Sequence, residues 1–445
     1  MSDASQLERL DPESARILTL ESAAITGHTF KVAVMEPGPG AEPIELEELR
    51  RRVTERLGHE PRMRQRVELS PTDGGGPAWV DDPDFDLTHH VGQAEIGDGV
   101  DRERFLEIAS EVMAERLDHA RPLWRMDLVP LEGGATGLLI RIHHCLADGV
   151  SSVRLTQAIL WDEGPAKAPP PPRREPRVEK KDGEGHKRHP GEAARSVAAL
   201  PGALARELRP SRSSSPLDRR IGRERQIAVV ARPLEELKRI AHGFAKRLGS
   251  HVTINDVLLA GIAGGIRRWL GHEHLEAGRM RVQVPVSMHH QSEGTDELSN
   301  RDSFLFIDLP VHEPDAARRL ELINAETVER KDHGDAEALF RFFHGLSHLS
   351  PVYNEAMRLA AGPREFSLAV SNVPGPRDPV HLLGRRVAEL YSMAEPAERH
   401  ALRVSAISCG GEMGFGMCTD PSALEGLEHL ARGLESSLDE LSERA

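Results

Sequence analysis

The pattern of apolar and polar positions is organised around Gly137-Leu-Leu-Ile-Arg-Ile-His143-His144-Cys145-Leu-Ala-Asp148-Gly149, an apolar run that passes into a polar turn. Leu138 to Ile142 is dense in strand formers, and Asp148-Gly149 has the character of a turn and helix start. This predicts a short strand, a tight polar turn and a helix reaching about Trp161. Strand side chains alternate between faces, so His144 falls in phase with Ile142, Ile140 and Leu138, and His143 with Arg141. One imidazole therefore ends an apolar face, which makes His144 the better candidate for a buried base.

The same reading predicts a weak strand region over about 20–34, a charged surface helix over 44–57 and an amphipathic helix over 101–117. Arg121 to Val129 reads as a strand joined to the histidine strand by a glycine-bearing hairpin. Trp124 and Asp127 read as framework there, with Asp127 in reach of Arg125 or Arg141. Asp82, Asp84 and Asp86 resemble the start of a calcium loop. However, Leu87 stands where such a loop needs glycine, and Gln93 where it needs glutamate. His89-His90 reads as a strand edge with one satisfied histidine, since adjacent strand residues point apart.

Further on, helices are expected over 233–248 and 253–270, the second capped by Thr253 or Asn255. Strands are expected over 280–288, 303–309 and 366–370, the last entering a turn at Ser371–Pro376. Helices follow over 315–329, much of 336–361 and 421–441, with strands around 402–408 and 412–418. Strands and helices alternate in both halves, which predicts a mixed α/β fold.

At 445 residues the chain is long enough for two domains or subdomains. The natural divisions are 1–161, a linker at 162–226, and 227–445. A net charge of -14 argues against a nucleic-acid partner. The polar opening Met1-Ser-Asp-Ala-Ser has no signal-peptide character, and three cysteines make no disulfide framework, so a cytoplasmic location is expected. The longest apolar run, Val257–Ile266, is about half a spanning helix. The linker opens on Pro169–Pro172, and Arg173 to Arg225 carries 15 Lys and Arg against 8 Asp and Glu. It reads as a solvated connection. The alternative is a docking patch for anionic lipid, weakened by Pro201 within the apolar stretch 197–204.

A histidine of near-neutral pKa on an apolar face suits proton removal from an alcohol or thiol attacking a carbonyl. Asp148, four residues on, can orient the imidazole or pin the turn, and Gly149 permits a sharp backbone path or close substrate approach. A metal site from His143, His144 and Asp148 has suitable ligand types but lacks a helix to bring both rings to one face. Cys145 as a nucleophile, and a merely hydrogen-bonded histidine pair, are the other local readings.

His143-His144-Cys145-Leu-Ala-Asp148-Gly149 resembles the HHxxxDG signature of CoA-dependent acyltransferases and the related peptide-synthetase condensation domains. Pro122-Leu123-Trp124, Asn255-Asp256, Pro285-Val-Ser287, Asn300-Arg301 and Asn372-Val-Pro-Gly-Pro376 complete an ordered set. That set is similar to the bacterial wax ester synthase/diacylglycerol acyltransferase family and spans roughly 79–420. The resemblance implies two chloramphenicol-acetyltransferase-like subdomains with the active site in a tunnel at their interface. It implies transfer of a long-chain fatty acyl group from acyl-CoA to a long-chain alcohol or diacylglycerol. His144 would be the general base beside His143, with no acyl-enzyme, while Asp148 and Gly149 shape the loop. Pro122, Leu123, Trp124, Asn255, Asp256 and Asn372 would belong to substrate-binding or structural motifs. Acyl-CoA would be a co-substrate, with no metal or other cofactor, and contact with a membrane or lipid-droplet surface would be peripheral.

The opening Leu10-Asp-Pro-Glu-Ser14, Ser299 and Tyr391-Ser392 depart from the family pattern and bear on acceptor choice. The alternatives are another alcohol or an amine as acceptor on the same fold, and a weakly active lipid-binding or scaffold protein.

Overall fold

The computed structural model describes residues 7–71, 75–97, 99–164, 215–271, 280–287, 302–333 and 366–445. In chain order the first part holds β1 (Glu8–Arg9), α1 (Pro12–Leu20), β2 (His28–Met35), α2 (Leu46–Arg56), β3 (Gln65–Glu68), β4 (Ala78–Asp81) and β5 (Val91–Gln93). It continues with α3 (Arg102–Ala114), β6 (Trp124–Pro130), β7 (Thr136–His143) and α4 (Gly149–Ile159). The second part holds β8 (Gln226–Pro233), α5 (Leu234–Leu248), α6 (Ile254–Leu270), β9 (Met280–Ser287), β10 (Asp302–Leu309) and α7 (Ala316–His333). It closes with β11 (Leu368–Val373), β12 (His381–Leu382), β13 (Arg385–Ala394), β14 (Leu402–Cys409), β15 (Glu412–Thr419) and α8 (Leu427–Glu443).

Two six-stranded sheets organise these elements, in the orders β12-β13-β2-β7-β6-β5 and β10-β9-β11-β14-β15-β8; β1, β4 and β3 form a small third sheet. The expected hairpin of β6 and β7 is present, with Trp124 opposite Ile142. Far from weak, β2 is a central strand paired along its length with β7, His28 facing His143 and Lys31 facing Ile140. It starts at residue 28, after α1 and a loop.

The sheets do not respect a division at residue 227. β13, from the second part, pairs antiparallel with β2, with Tyr391 opposite Val32, and so covers an edge of the first sheet. An unpaired edge of so apolar a strand as β2 would be a template for aggregation, and Val387, Leu390, Tyr391 and Met393 bury with it instead. Leu217 and Ile221, inside the expected linker, are buried in the second core. The remainder of that linker (165–214), the helix expected over 336–361, and Asn300-Arg301 lie outside the described residues.

The two sheets meet where β13 crosses β15. A Cβ at Gly414 would sit 2.2 Å from the Leu390 carbonyl oxygen, and one at Gly416 2.5 Å from that of Ser392. Side chains on this face of β15 would hold the strands apart; two glycines at strand spacing let backbone meet backbone. On the far face of the second sheet, Leu402, Val404 and Ala406 of β14 join the core formed with α6 and α8. Alternation then turns Arg403 and Ser405 toward the first sheet.

Candidate active site

The histidine motif sits at that junction. β7 ends at His143, and the chain turns through Cys145 to Ala147 into α4. Asp148 is the N-cap of α4, its carboxylate accepting from the Ser151 amide at 2.7 Å. It therefore pins the turn, one of the two roles open to it from sequence. Gly149 approaches the second half, where a Cβ at 149 would lie 3.0 Å from Val373 Cγ2. β11 thus reaches further than the expected 366–370 strand, carrying Asn372 and Val373 in register with Ala406 and Ile407 to the mouth of the histidine loop.

The two histidines differ as strand phase requires. His143 shares the face of Arg141 and is fully buried. Its Nδ1 accepts from the Cys145 amide at 3.1 Å, and its Nε2 lies 3.1 Å from Glu21 Oε1. His144 leaves on the opposite face, with its amide donating to the Gly27 carbonyl at 2.9 Å. Its ring keeps a small accessible surface. Burial, then the charges of Arg403, His143 and Lys31, push its pKa down to about 3, below the near-neutral value expected from sequence, so at neutral pH the imidazole is uncharged.

Beneath His144, on the same face of β2, lies Lys31. Its buried amine donates to Ser152 Oγ at 2.6 Å, and burial lowers it to about 7, partly offset by Asp148. Across the junction stands Arg403, whose Nε has no hydrogen-bond partner among the described residues and whose charge is the strongest acting on His144. Glu395 ties the loop before β2 to the second half. It accepts from the amides of Thr26 at 2.9 Å and Gly27 at 2.6 Å, and from Arg225 at 3.2 Å.

The other residues singled out from sequence fall into supporting positions. Leu123 is buried and its carbonyl accepts the His143 amide at 3.0 Å, while the Pro122 carbonyl accepts that of Trp124 at 2.9 Å. Trp124 is framework, its indole donating to the Met63 carbonyl at 2.7 Å and its ring stacked 4.6 Å from His90. His90 is satisfied at one nitrogen only: Nδ1 lies 2.9 Å from the Trp124 carbonyl, while its buried Nε2 has no hydrogen-bond partner among the described residues. Asp127 meets both Arg125 and Arg141, at 2.9 and 3.3 Å.

Thr253, not Asn255, caps α6, with Asp256 completing the capping box. Asp256 is buried under Asn324 and Thr327 of α7, which donate to it at 3.1 and 2.7 Å. Asn255 instead accepts from Asn372 at 2.7 Å, joining the start of α6 to the end of β11.

His143, His144 and Asp148 do not converge on a point, and no cluster suited to a metal ion occurs among the described residues. Burial pushes the Cys145 thiol up, leaving it protonated and a poor nucleophile. Asp86 caps the turn Leu87–His89 and Asp82 accepts from the Asp84 amide, so these carboxylates serve the local backbone.

Glu21, Gly27, Lys31, Glu395 and Arg403 were not singled out from sequence. Lys31 carried a signal, a lysine in phase with apolar positions of His28–Met35. The others gain meaning only from partners distant in the chain.

The buried histidines predict a pH dependence of stability. His28, His90 and His144 are all held below the usual 6.5, first by burial. The unfolded chain binds protons there that the folded chain does not. These rings therefore cost no stability above about pH 6.5 and a growing amount as the pH drops below it, by up to about 1.4 kcal/mol per pH unit for each such group. Urea midpoints at pH 7.5 and 5.5 check this, the lower pH giving the lower midpoint; equal midpoints would contradict the burial of these rings.

Comparison with known proteins places this geometry. The family model of the wax ester synthase/diacylglycerol acyltransferase catalytic domain matches residues 10–258, and that of the WS/DGAT C-terminal domain matches 298–442. A Mycobacterium tuberculosis protein named probable diacylglycerol O-acyltransferase is 28% identical over 408 residues, covering 87% of this chain and 86% of its own. Among solved structures, the wax ester synthase/diacylglycerol acyltransferase of Marinobacter aquaeolei VT8 superposes with a TM-score of 0.73 at 21% identity, over 98% of this chain and 99% of that one. The first condensation domain of the calcium-dependent antibiotic synthetase follows at 0.63 and 16% identity, over 99% and 97%. The chain belongs to the wax ester synthase/diacylglycerol acyltransferase family of acyltransferases.

Proposed function

We propose that this chain transfers a long-chain fatty acyl group from acyl-CoA to the hydroxyl of a long-chain alcohol or a diacylglycerol, with His144 as general base. The observation that carries the reading is the His144 imidazole at the junction of the two sheets, its residue anchored through the amide to Gly27 and under the charge of Arg403. His144 takes the hydroxyl proton as the acceptor oxygen attacks the thioester carbonyl carbon. The tetrahedral intermediate then collapses, the C–S bond breaks, and the proton passes from His144 to the leaving sulfur, giving ester and free CoA. A thioester is already activated, so the main tasks are alignment, proton transfer and stabilisation of the oxyanion, which a cation such as Arg403 favours. No step runs through a metal or an acyl-enzyme.

A passage between the two halves would hold the acyl chain and the acceptor, shielded from water. Contact with a membrane or lipid-droplet surface would be peripheral; among the described residues no helix is long and apolar enough to cross a membrane.

The test is CoA release from palmitoyl-CoA with hexadecanol, with diacylglycerol and with neither, the lipid product being identified by mass. Acceptor-dependent release is expected, with a wax ester or triacylglycerol as product. Release no faster with either acceptor than with none overturns the acceptor assignment. Retained lipid binding without turnover favours a binding protein.

A further inference from the structure

The loop between α1 and β2 meets the histidine motif twice. Gly27 receives the His144 amide, and Glu21 faces the His143 ring. The fit is close: a Cβ at Gly27, whose φ is +78°, would lie 2.3 Å from His143 Nε2. Only glycine suits both that backbone and that contact.

The Glu21 side chain is 7% exposed and held from its outer side. Arg116 Nη1 donates to Oε2 at 2.7 Å, and His119 Nε2 stands 3.0 Å from Oε1. Arg116 also donates through Nη2 to the carbonyls of Ser22 and Ile25, clamping the loop that carries Glu21. On its inner side Oε1 lies 3.1 Å from His143 Nε2, an electrostatic approach in which neither atom completes a directed hydrogen bond among the described residues. Burial alone would raise its pKa, but His119 and His143 outweigh this and hold it at about 2, so it is an anion throughout the working range.

His143 cannot reorient freely in this setting. Its Nδ1 lone pair accepts the Cys145 amide, so a neutral ring carries its proton on Nε2, the nitrogen 3.1 Å from Glu21. The hydrogen bond made by one ring nitrogen sets the state of the other. Turning the ring would break the Cys145 contact next to His144 and press on Gly27, whose carbonyl holds the His144 amide.

We propose that Glu21 is a positioning residue for acyl transfer: it holds the orientation of His143, whose tautomer the Cys145 amide sets, and through the His143 ring and Gly27 it sets the direction in which His144 meets the acceptor hydroxyl. Carboxylates orient a catalytic histidine directly in other enzymes; here the oriented ring is the neighbour of the base. The inference rests on His144 as the base.

Glu21→Leu is expected to lower kcat roughly 10- to 100-fold, with KM for palmitoyl-CoA and for the acceptor within about twofold of wild type. A double-mutant cycle with His143→Ala gives the readout that mere destabilisation would not. The double variant should be no slower than His143→Ala alone, because Glu21 acts through that ring. Nitrogen-15 spectra of the histidines should show His143 as the Nε2–H tautomer in wild type and in Glu21→Leu, with the Nε2 signal shifted in the variant by loss of the facing carboxylate.

His144→Ala beside these separates the two claims. If it turns over like wild type, the base assignment fails. If it is inactive while folded Glu21→Leu keeps wild-type kcat, or if the Glu21 and His143 effects multiply independently, the positioning role fails. Glu21→Gln, nearly isosteric and uncharged, decides the matter where the leucine variant does not fold: an unchanged kcat and an unshifted His143 Nε2 signal overturn the proposal, and a loss confined to kcat supports it.

Discussion

Replacing His144 by alanine is expected to lower acceptor-dependent CoA release by roughly 100- to 10,000-fold, the usual worth of a positioned general base. The residual rate should no longer depend on acceptor. His144 lies just beyond the end of β7, at the junction of the two sheets, so loss of its ring leaves the pairing of β7 intact. The His144 amide still donates to Gly27, because that contact is backbone. Melting temperature should therefore hold to within a few degrees while turnover collapses. Cys145→Ala is the internal control. Its thiol is buried and held protonated, and the bond from its amide to His143 survives the substitution, so kcat should stay within a few-fold of wild type. A Cys145→Ala enzyme as inactive as His144→Ala would point to an acyl-enzyme and overturn direct transfer.

The second large effect is expected on stability. Asp256 is 1% exposed and takes three bonds from the Thr253 amide, Asn324 Nδ2 and Thr327 Oγ1, at 2.8, 3.1 and 2.7 Å. Asp256→Ala removes the shared acceptor of all three donors; Asn324 Nδ2 keeps the His251 carbonyl and Thr327 Oγ1 the Asn324 carbonyl, and the part-buried Thr253 amide loses its bond within the helix start. Each lost bond to the carboxylate costs about 1–3 kcal/mol, partly relieved by the remaining partners, by repacking or by water. Loss of half the capping box falls within the same sum. A destabilisation of about 2–5 kcal/mol is expected, read as a shift in the urea midpoint with the slope unchanged. Activity should fall only with the folded fraction. Its neighbour behaves in the opposite way: Asn255→Ala removes one exposed bond to Asn372, worth about 1 kcal/mol or less. A change in kcat without a change in midpoint would make that bridge part of the site. If Asp256→Ala is as stable as wild type, the buried network described here is wrong.

Where the determinants are local, the sequence alone was sufficient. A strand alternates its side chains over successive residues, so the opposition of His143 and His144 could be read from Leu138 to His144 without knowledge of the partner strands. Asp148 before Gly149, and Thr253 three residues before Asp256, announce helix starts because a capping bond spans only two or three residues. The family could be read from motifs of the same short range, and it brought with it the two-sheet fold and the reaction.

What tertiary structure decided is everything set by contacts across long stretches of chain. The strand Arg385–Ala394 completes the first sheet from the second half, a pairing that depends on the free edge of β2 more than 350 residues earlier. Gly414 and Gly416 look like strand breakers in isolation; they are present because another backbone lies within 2.2–2.5 Å of where their Cβ atoms would be. Glu21 belongs to no motif legible in the sequence, yet it touches His143. Arg403 and Glu395 reach the histidine loop only because two sheets close on it. Periodicity reports which face a residue occupies. Which residues share a junction depends on how the faces are brought together, and that is a property of the packed chain rather than of any one stretch of it.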